Sequence, residues 1–365
     1  MYMLYERQIN KWKKRGLRKK IMADNTVKND EKKTKEKKKH STIKKVFLII
    51  LGAILVLIAV DICITEIDAR RIPHHYASAE EGKNLLLAQT DYYDGFTQND
   101  IDYRMKKSGA TKEELLKAST DEIRDFNIIE KYLMDRVIAK MARKLSRNGY
   151  ELPHLEEITY IKTDMSVEGG HSGYTHGNEI YLNTVNMDIG IIPLMGEYFE
   201  HLMWHELSHC LTRNNPEYRA QTYSLINFSI ADSDFEMPPC VSDKYFHNPD
   251  VEHHDAYATF MIDGKETDCY LLWICPEDYA KANDVAGFNT ETVLVPIDGT
   301  DTYYTMDQAT NLDEVFGTNT NYLTDPEECM ADNFADAMQY GLKGPNGQGY
   351  PNPKIIEGII DILSK

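Results

Sequence analysis

Hydrophobic residues form one long apolar run and several shorter stretches with helical or strand spacing. The long run is Val46 to Val60, and it continues through Asp61 to Ile64. About 19 helical residues are roughly 28 Å long, which is close to the hydrocarbon thickness of a bilayer. The run predicts a transmembrane helix over residues 46–64.

Helical spacing recurs in five other stretches. Ser119 and Glu122 form a capping-box pattern, which predicts a helix of about 28 residues that ends at Asn148-Gly149. Four further helices are predicted, at about 193–213, at 216–228, from 326 and from 353.

Strand formers cluster upstream of the helix at 193 and again far downstream of it. Two strands are predicted at 157–163 and 178–183, and hairpin signals such as Asp263-Gly264 predict a β-rich insertion. The fold class is therefore α+β. The predicted parts are a disordered basic tail (1–45), the membrane anchor (46–64), a juxtamembrane linker (65–78), a helical N-terminal part (79–150) and a main domain (151–365) with the insertion at about 229–324.

Charge is distributed unevenly on the two sides of the apolar run. Residues 1–45 hold 17 Lys and Arg against 5 Asp and Glu, a net charge of +12, so the rest of the −17 chain carries −29. The positive-inside rule places the basic tail in the cytoplasm and the acidic bulk outside, as a single-pass type II protein of the cell membrane. The tail lacks the arginine and aromatic pattern of base recognition, so nucleic acid is not expected as a partner.

Two alternatives for the N-terminus stay open. A cleaved signal peptide would also contain an apolar core, although Asp61 to Glu66 lacks the small residues of a cleavage site. Met22 begins an equally basic tail and could be the true start.

The helix at 193–213 contains the sequence His205-Glu206-Leu-Ser-His209. Histidines four residues apart lie on one helical face, where both can bind one zinc ion, and Glu206 can reach a water on that ion. Catalytic zinc usually has three protein ligands, so a third is expected. The alternative is an amphipathic helix with two solvated histidines.

A third ligand is predicted on the helix that begins at Pro326. Glu328 and Asp332 lie one turn apart there, so Glu328 could bind zinc and Asp332 could orient a ligand histidine. Glu328 is also the third residue after Asp325, where it could instead complete a capping box.

The pairing of H-E-x-x-H with a later E-x-x-x-D resembles the gluzincins, the thermolysin-like zinc peptidases. The resemblance implies a zincin-like domain, zinc ligands at His205, His209 and Glu328, a general base at Glu206 and an orienting Asp332. It also implies an edge strand, here 178–183, that pairs with an extended substrate. The gap between His209 and Glu328 is longer than in thermolysin.

A group of bacterial, often membrane-attached, H-E-x-x-H proteins is similar in further segments. The matching segments are Thr212 to Arg219, Asn248 to Asp250 and Pro326 to Phe334. With the metal helix they cover about residues 178–340, and neither the N-terminal helices nor the membrane segment is included.

Other polar residues have less defined roles. His254 or Tyr257 could stabilise the oxyanion, while His171, His176 and His253 are weaker candidates and His201 lies one turn before His205. Cys210 and Cys329 each follow a proposed ligand, and they could form a disulfide or remain buried thiols.

The sequence as a whole predicts an extracytoplasmic zinc metallopeptidase that acts on a peptide or protein, a class that includes cell-wall-associated substrates. Two alternatives are a zinc amidase that acts on cell-wall material and a catalytically inactive zinc-containing binding domain. A purely structural zinc site has no use for Glu206, which disfavours the inactive domain.

The predicted topology can be tested with a protease added to intact cells. We expect loss of the C-terminal region, because the charge asymmetry places it outside, while the lysine-rich tail survives. Antibodies against each end report the outcome on blots, and a cytoplasmic protein serves as the control for lysis. Digestion of the C-terminal region only after lysis would reverse the orientation.

Overall fold

The structure is a computed structural model, and it describes residues 2–186, 196–281 and 289–364. The described chain combines helices with two β-sheets, which confirms the expected mixture of helix and sheet. It divides into two compact units, residues 1–64 and residues 65–365.

Twelve α-helices are described. They are α1 (Tyr2–Ala69), α2 (Ala79–Ala88), α3 (Thr90–Asp94), α4 (Gln98–Met105), α5 (Lys112–Asp121), α6 (Ile128–Asn148), α7 (Gly196–Asn214), α8 (Pro216–Ser224), α9 (Pro239–Ser242), α10 (Leu312–Phe316), α11 (Pro326–Tyr340) and α12 (Pro353–Leu363). The first residues of the helix predicted from Pro193 lie outside the described residues.

The described chain also contains ten strands. They are β1 (His74–Tyr76), β2 (Ile123–Arg124), β3 (Ile158–Thr163), β4 (Gly173–His176), β5 (Glu179–Asn183), β6 (Ser229–Ile230), β7 (Ala256–Ile262), β8 (Lys265–Ile274), β9 (Glu291–Pro296) and β10 (Tyr304–Thr305).

Helix α1 contains a segment that is long and apolar enough to cross a membrane. The segment is Lys44–Ala69, 26 residues, and none of its most apolar stretch is buried by protein. The same helix runs through residues 2–45, where the sequence predicts a disordered tail. The end of α1 and strand β1 fall within the predicted linker 65–78.

The first sheet has the strand order β1-β3-β5-β4, and β2 also pairs with β3. Strand β5 matches the strand predicted at 178–183, but it lies inside the sheet, parallel to β3 and antiparallel to β4. The prediction of an edge strand there was therefore wrong. The edge is β4, whose four residues are too few for a clear strand pattern in the sequence.

The helix predicted from Ser119 is two separate elements joined by β2. Ser119 lies in the last turn of α5, where its hydroxyl donates to the Leu115 carbonyl. The capping box that starts α6 is formed by Asn127 and Glu130, with backbone-to-side-chain hydrogen bonds in both directions. The pattern at 119–122 was thus misread, because a second capping box eight residues later starts the helix.

The insertion forms the second sheet, with strand order β10-β9-β8-β7-β6 and antiparallel pairing throughout. Strands β7 and β8 are joined at Asp263-Gly264, where both residues have positive φ, 52° and 74°. Two successive positive φ values are those of a type I′ hairpin turn, as the sequence predicts.

Helix α7 lies at the centre of the main core. From Phe199 to Thr212 every residue except His201 is buried, and helix α11 packs along it. The Trp204 and Phe334 rings meet edge to face, with 6.1 Å between their centroids. Buried cysteines lie on both helices, Cys210 and Cys329, and both are free thiols, so the alternative of a disulfide between them does not hold.

Gly82 tests how tightly α2 packs on the first sheet. A Cβ at this position would lie 2.9 Å from Ile161 Cγ2 and 3.0 Å from Ile123 Cγ2, and both isoleucines are buried. Gly82→Ala should lower the free energy of unfolding by about 1–3 kcal/mol through overpacking, although alanine is the better helix former.

Urea unfolding of the full chain in detergent measures this change. Gly196→Ala is the control, because a Cβ at that position in α7 meets no atom of the described residues within 4 Å. A midpoint for Gly82→Ala equal to that of the wild type would contradict the packing.

Candidate metal centre

Helix α7 places two buried histidines one turn apart. The His205 and His209 rings lie 4.9 Å apart between centroids, and their side chains are 11% and 0% exposed. The alternative of two solvated histidines is therefore excluded. Nε2 of His209 is buried and has no hydrogen-bond partner among the described residues, which leaves this nitrogen for a metal ion.

Helix α11 brings Glu328 to the same point. Glu328 Oε2 lies 3.1 Å from His205 Nε2 and 3.8 Å from His209 Nε2. One ligand atom from each of the three residues lies within 4.8 Å of the others. Two imidazoles and a carboxylate are a donor set that suits zinc, so these residues could hold a metal ion.

The Glu328 carboxylate does not cap its own helix, because both of its oxygens contact residues of other elements. Oε1 accepts a hydrogen bond of 2.6 Å from Asn248 Nδ2, and Oε2 contacts His205. The helix start is capped by the Asp325 side chain, which accepts from the Glu327 backbone N–H at 2.9 Å. The Glu328 carboxylate thus faces the histidines.

Glu327, the residue before Glu328, contacts His209 at Nδ1, the ring nitrogen away from Glu328. Its Oε1 lies 2.9 Å from His209 Nδ1 and also accepts from the Thr212 hydroxyl at 2.7 Å. The Tyr223 hydroxyl donates to Oε2. A carboxylate on Nδ1 fixes the ring and leaves Nε2 for a metal, so Glu327 does for His209 what the sequence predicts Asp332 to do. The sequence offers two consecutive glutamates, Glu327 and Glu328, but the E-x-x-x-D spacing drew attention to Glu328 alone.

Asp332 lies near the site but is bonded elsewhere. Its Oδ1 is 3.9 Å from His205 Nδ1, which is beyond hydrogen-bond distance, and its Oδ2 accepts from Thr320. His201 lies 3.8 Å from Asp332 and 3.2 Å from Asp336. The structure therefore brings Asp332 beside His205 without a direct bond between them.

Glu206 is held by the edge strand β4. Its Oε2 accepts a hydrogen bond of 2.7 Å from the Thr175 hydroxyl, and both residues are buried. The backbone N–H of Thr175 donates to Asp250 Oδ1 at 2.6 Å. Asp250 Oδ1 is also 3.9 Å from His209 Nε2, so Glu206, His209 and Asp250 form a second group that could hold a metal.

Several buried carboxylates place negative charge at this centre. Burial raises the pKa of Asp250 well above its usual range, and the charges of Glu206 and Glu328 raise it further. Burial also raises the pKa of Glu328, but the hydrogen bond with His205 and the charges of both histidines outweigh it and lower this pKa to about 2. His205 shows the reverse balance, since burial lowers its pKa and Glu328 raises it to about 9. The centre thus favours positive charge, and a divalent cation would meet that need.

A cavity of about 390 Å³ opens over His205 and Glu206. Tyr322 lies in its wall, with its ring stacked 6.0 Å from that of His205. Burial raises the pKa of the Tyr322 phenol, and the charge of Glu328 raises it further. The aromatic residues Tyr103, Phe246 and Trp273 also line the cavity, as do His171, His201 and Asp332.

The two residues predicted as oxyanion stabilisers lie outside this lining. His254 Nε2 is hydrogen-bonded to the Tyr245 hydroxyl at 2.7 Å, and burial lowers the pKa of His254 to about 4. Tyr257 packs edge to face on Phe235 in the second sheet. Tyr322, which the sequence did not single out, lines the cavity instead.

Comparisons with protein-family models, curated proteins and solved structures each gave no match. What the site can do therefore follows from its own residues and their geometry.

Glu328→Gln tests the ligand role of the carboxylate. Replacing a charged oxygen by a neutral amide should lower zinc content from about one per chain to a small fraction of that after dialysis, because zinc prefers an anionic oxygen. Zinc is measured by plasma emission on the purified chain.

Two controls separate this outcome from general damage. Glu357→Gln makes the same change at an exposed position of α12 and should keep its zinc. Asp250→Asn reports on the second group of possible ligands. Full zinc in Glu328→Gln together with its loss in Asp250→Asn would move the site to Asp250.

Proposed function

We propose that the chain is a membrane-anchored, extracytoplasmic zinc metallopeptidase with a zincin-like domain. The observation that supports this most directly is the position of Glu206. Its buried carboxylate is held beside a group of residues suited to zinc, His205, His209 and Glu328, and lines the same cavity as His205. A structural zinc site needs no such carboxylate and usually has four protein ligands.

Zinc held by His205, His209 and Glu328 would supply a Lewis acid for the scissile carbonyl and for the attacking water. Glu206 takes the proton of that water and passes it to the leaving amine. The Tyr322 hydroxyl, within the cavity wall, donates to the developing oxyanion. The Glu327 carboxylate lies beside Nδ1 of His209, and the Asp332 carboxylate lies near Nδ1 of His205.

The substrate is proposed to be an extended peptide. Strand β4 is the sheet edge beside Glu206, and Gly173 in that strand lines the cavity. A peptide that pairs with this edge would carry its backbone past the base. The cavity volume lies within the usual range for sites that enclose a ligand.

Localisation rests on the apolar segment of α1 and on the charge asymmetry around it. The proposal is a single-pass type II protein whose C-terminal part lies outside the cell membrane, where peptides and cell-wall material are both accessible. An amidase that acts on cell-wall material remains the alternative, since it would use the same zinc and base. Zymography of the purified chain on casein and on purified wall polymer distinguishes the two enzymes.

Glu206→Gln tests the general base. Glutamine keeps the size and hydrogen bonding of the side chain but cannot take a proton at neutral pH. Turnover should fall by about two or more orders of magnitude, whereas zinc content should stay at the wild-type level.

The matched control is Glu197→Gln, an exposed glutamate on the same helix, which should keep wild-type turnover. Hydrolysis of a fluorescence-quenched casein peptide and zinc content are measured on the same preparations. Wild-type turnover in Glu206→Gln would remove the carboxylate from the mechanism.

A further inference from the structure

Strand β4 presents two residues to the base from the same face. Side chains alternate along a strand, so Gly173 and Thr175 point the same way. A Cβ at Gly173 would lie 2.8 Å from Glu206 Oε1, and the Thr175 hydroxyl lies 2.7 Å from Glu206 Oε2. The two carboxylate oxygens therefore face neighbouring positions of one strand.

Thr175 is itself fixed at several atoms. Its side chain is fully buried, and its backbone N–H donates to Asp250 Oδ1 at 2.6 Å. Its hydroxyl also lies 3.4 Å from the backbone carbonyl of Glu206. Residue 175 pairs with Ile180 of β5, which places it within a hydrogen-bonded sheet. A donor held in this way restricts the rotamers of the carboxylate that it contacts.

We propose that Thr175 is a positioning residue for the general base. Its hydroxyl holds Glu206 Oε2, so that Oε1 is the oxygen left to take the proton, and glycine at position 173 leaves the space that Oε1 occupies. This inference rests on the proposed function, because it concerns the orientation of Glu206 for proton transfer. The hydrogen bonds of the Thr175 hydroxyl go to Glu206 and not to His205, His209 or Glu328, so Thr175 acts through Glu206.

The experiment compares Thr175→Val with Thr175→Ser in the full chain, purified in detergent and loaded with zinc. Valine keeps the branched shape and removes the hydroxyl, whereas serine restores it. Thr159→Val is the matched control, since Thr159 is a buried threonine of β3, two strands away from β4. The readouts are kcat and KM for a fluorescence-quenched peptide that the wild type cleaves, together with zinc content.

Loss of a hydrogen bond to a charged group should lower kcat of Thr175→Val by about 10- to 100-fold. KM and zinc content should stay within about twofold of the wild type, because neither substrate binding nor the metal ligands are touched. Thr175→Ser should recover kcat to within about threefold, since the donor returns without the methyl group. Equal kcat in Thr175→Val and Thr159→Val would overturn the proposal.

Gly173→Ala decides the case if Thr175→Val fails to fold or loses zinc. The new Cβ would crowd Glu206 Oε1 without removing any hydrogen bond. A fall in kcat with zinc retained supports the proposal, and an unchanged kcat or a loss of zinc overturns it. A wild-type chain without hydrolytic activity overturns the proposed function and this inference together, whereas an active wild type with an unaffected Thr175→Val overturns the inference alone.

Discussion

The packing of helix α7 against helix α11 determines the rest of the site. Each helix contributes residues that are costly to bury alone, two histidines on one and the consecutive acids Glu327 and Glu328 on the other. Buried charges are tolerated only when they are paired and hydrogen-bonded. His209 Nδ1 lies 2.9 Å from Glu327 Oε1, and His205 Nε2 lies 3.1 Å from Glu328 Oε2, so both pairs meet that condition. These contacts also fix the position of one helix relative to the other. The apolar core around Trp204 and Phe334 then surrounds an acidic centre.

The acidity of this centre exceeds what the protein's own cations offset. Glu206, Asp250 and Glu328 are all buried near His209, and burial together with mutual repulsion raises the pKa of Asp250. Arg213 lowers this pKa, but the first effects are larger. The usual solution for such a cluster is a bound cation, which is why a divalent ion fits here on electrostatic grounds as well as by donor type.

Local signals in the sequence predicted much of this arrangement. The spacing of His205 and His209 follows from helical geometry, and the Asp325-Pro326 start places Glu328 in the first turn of α11. That the histidines and Glu328 meet in space was inferred from the number of ligands that catalytic zinc needs and from the resemblance to the gluzincins. Strands β3 and β5 and the hairpin at Asp263-Gly264 were also predicted, because alternation and turn residues are local properties.

Residues that act across long sequence distances could not be predicted in this way. Thr175 reaches Glu206 through the pairing of β4, and Asp250 approaches His209 from a loop. Asp250 lies in a segment that is similar to other H-E-x-x-H proteins, but the sequence assigned no role to it or to Thr175. The order of strands in a sheet is likewise invisible to periodicity, which is why β5 was taken for the edge. The misplaced helix start at Ser119 had a different cause, since two capping patterns competed and the tertiary pairing of β2 with β3 selected the second.

Glu327 and Glu328 show how adjacent, chemically identical residues take different roles. Successive residues on a helix point about 100° apart, so one carboxylate reaches Nδ1 of His209 while the next reaches its Nε2 side. Donors from Thr212 and Tyr223 stabilise the charge of Glu327, and the hydrogen bond with His209 helps to lower its pKa to about 2 although burial raises it. An ionised Glu327 can only accept from Nδ1–H, so Nε2 is the His209 nitrogen that faces Glu328 and the candidate metal position. The residue beside the candidate ligand Glu328 thus orients the His209 ring from the facing helix.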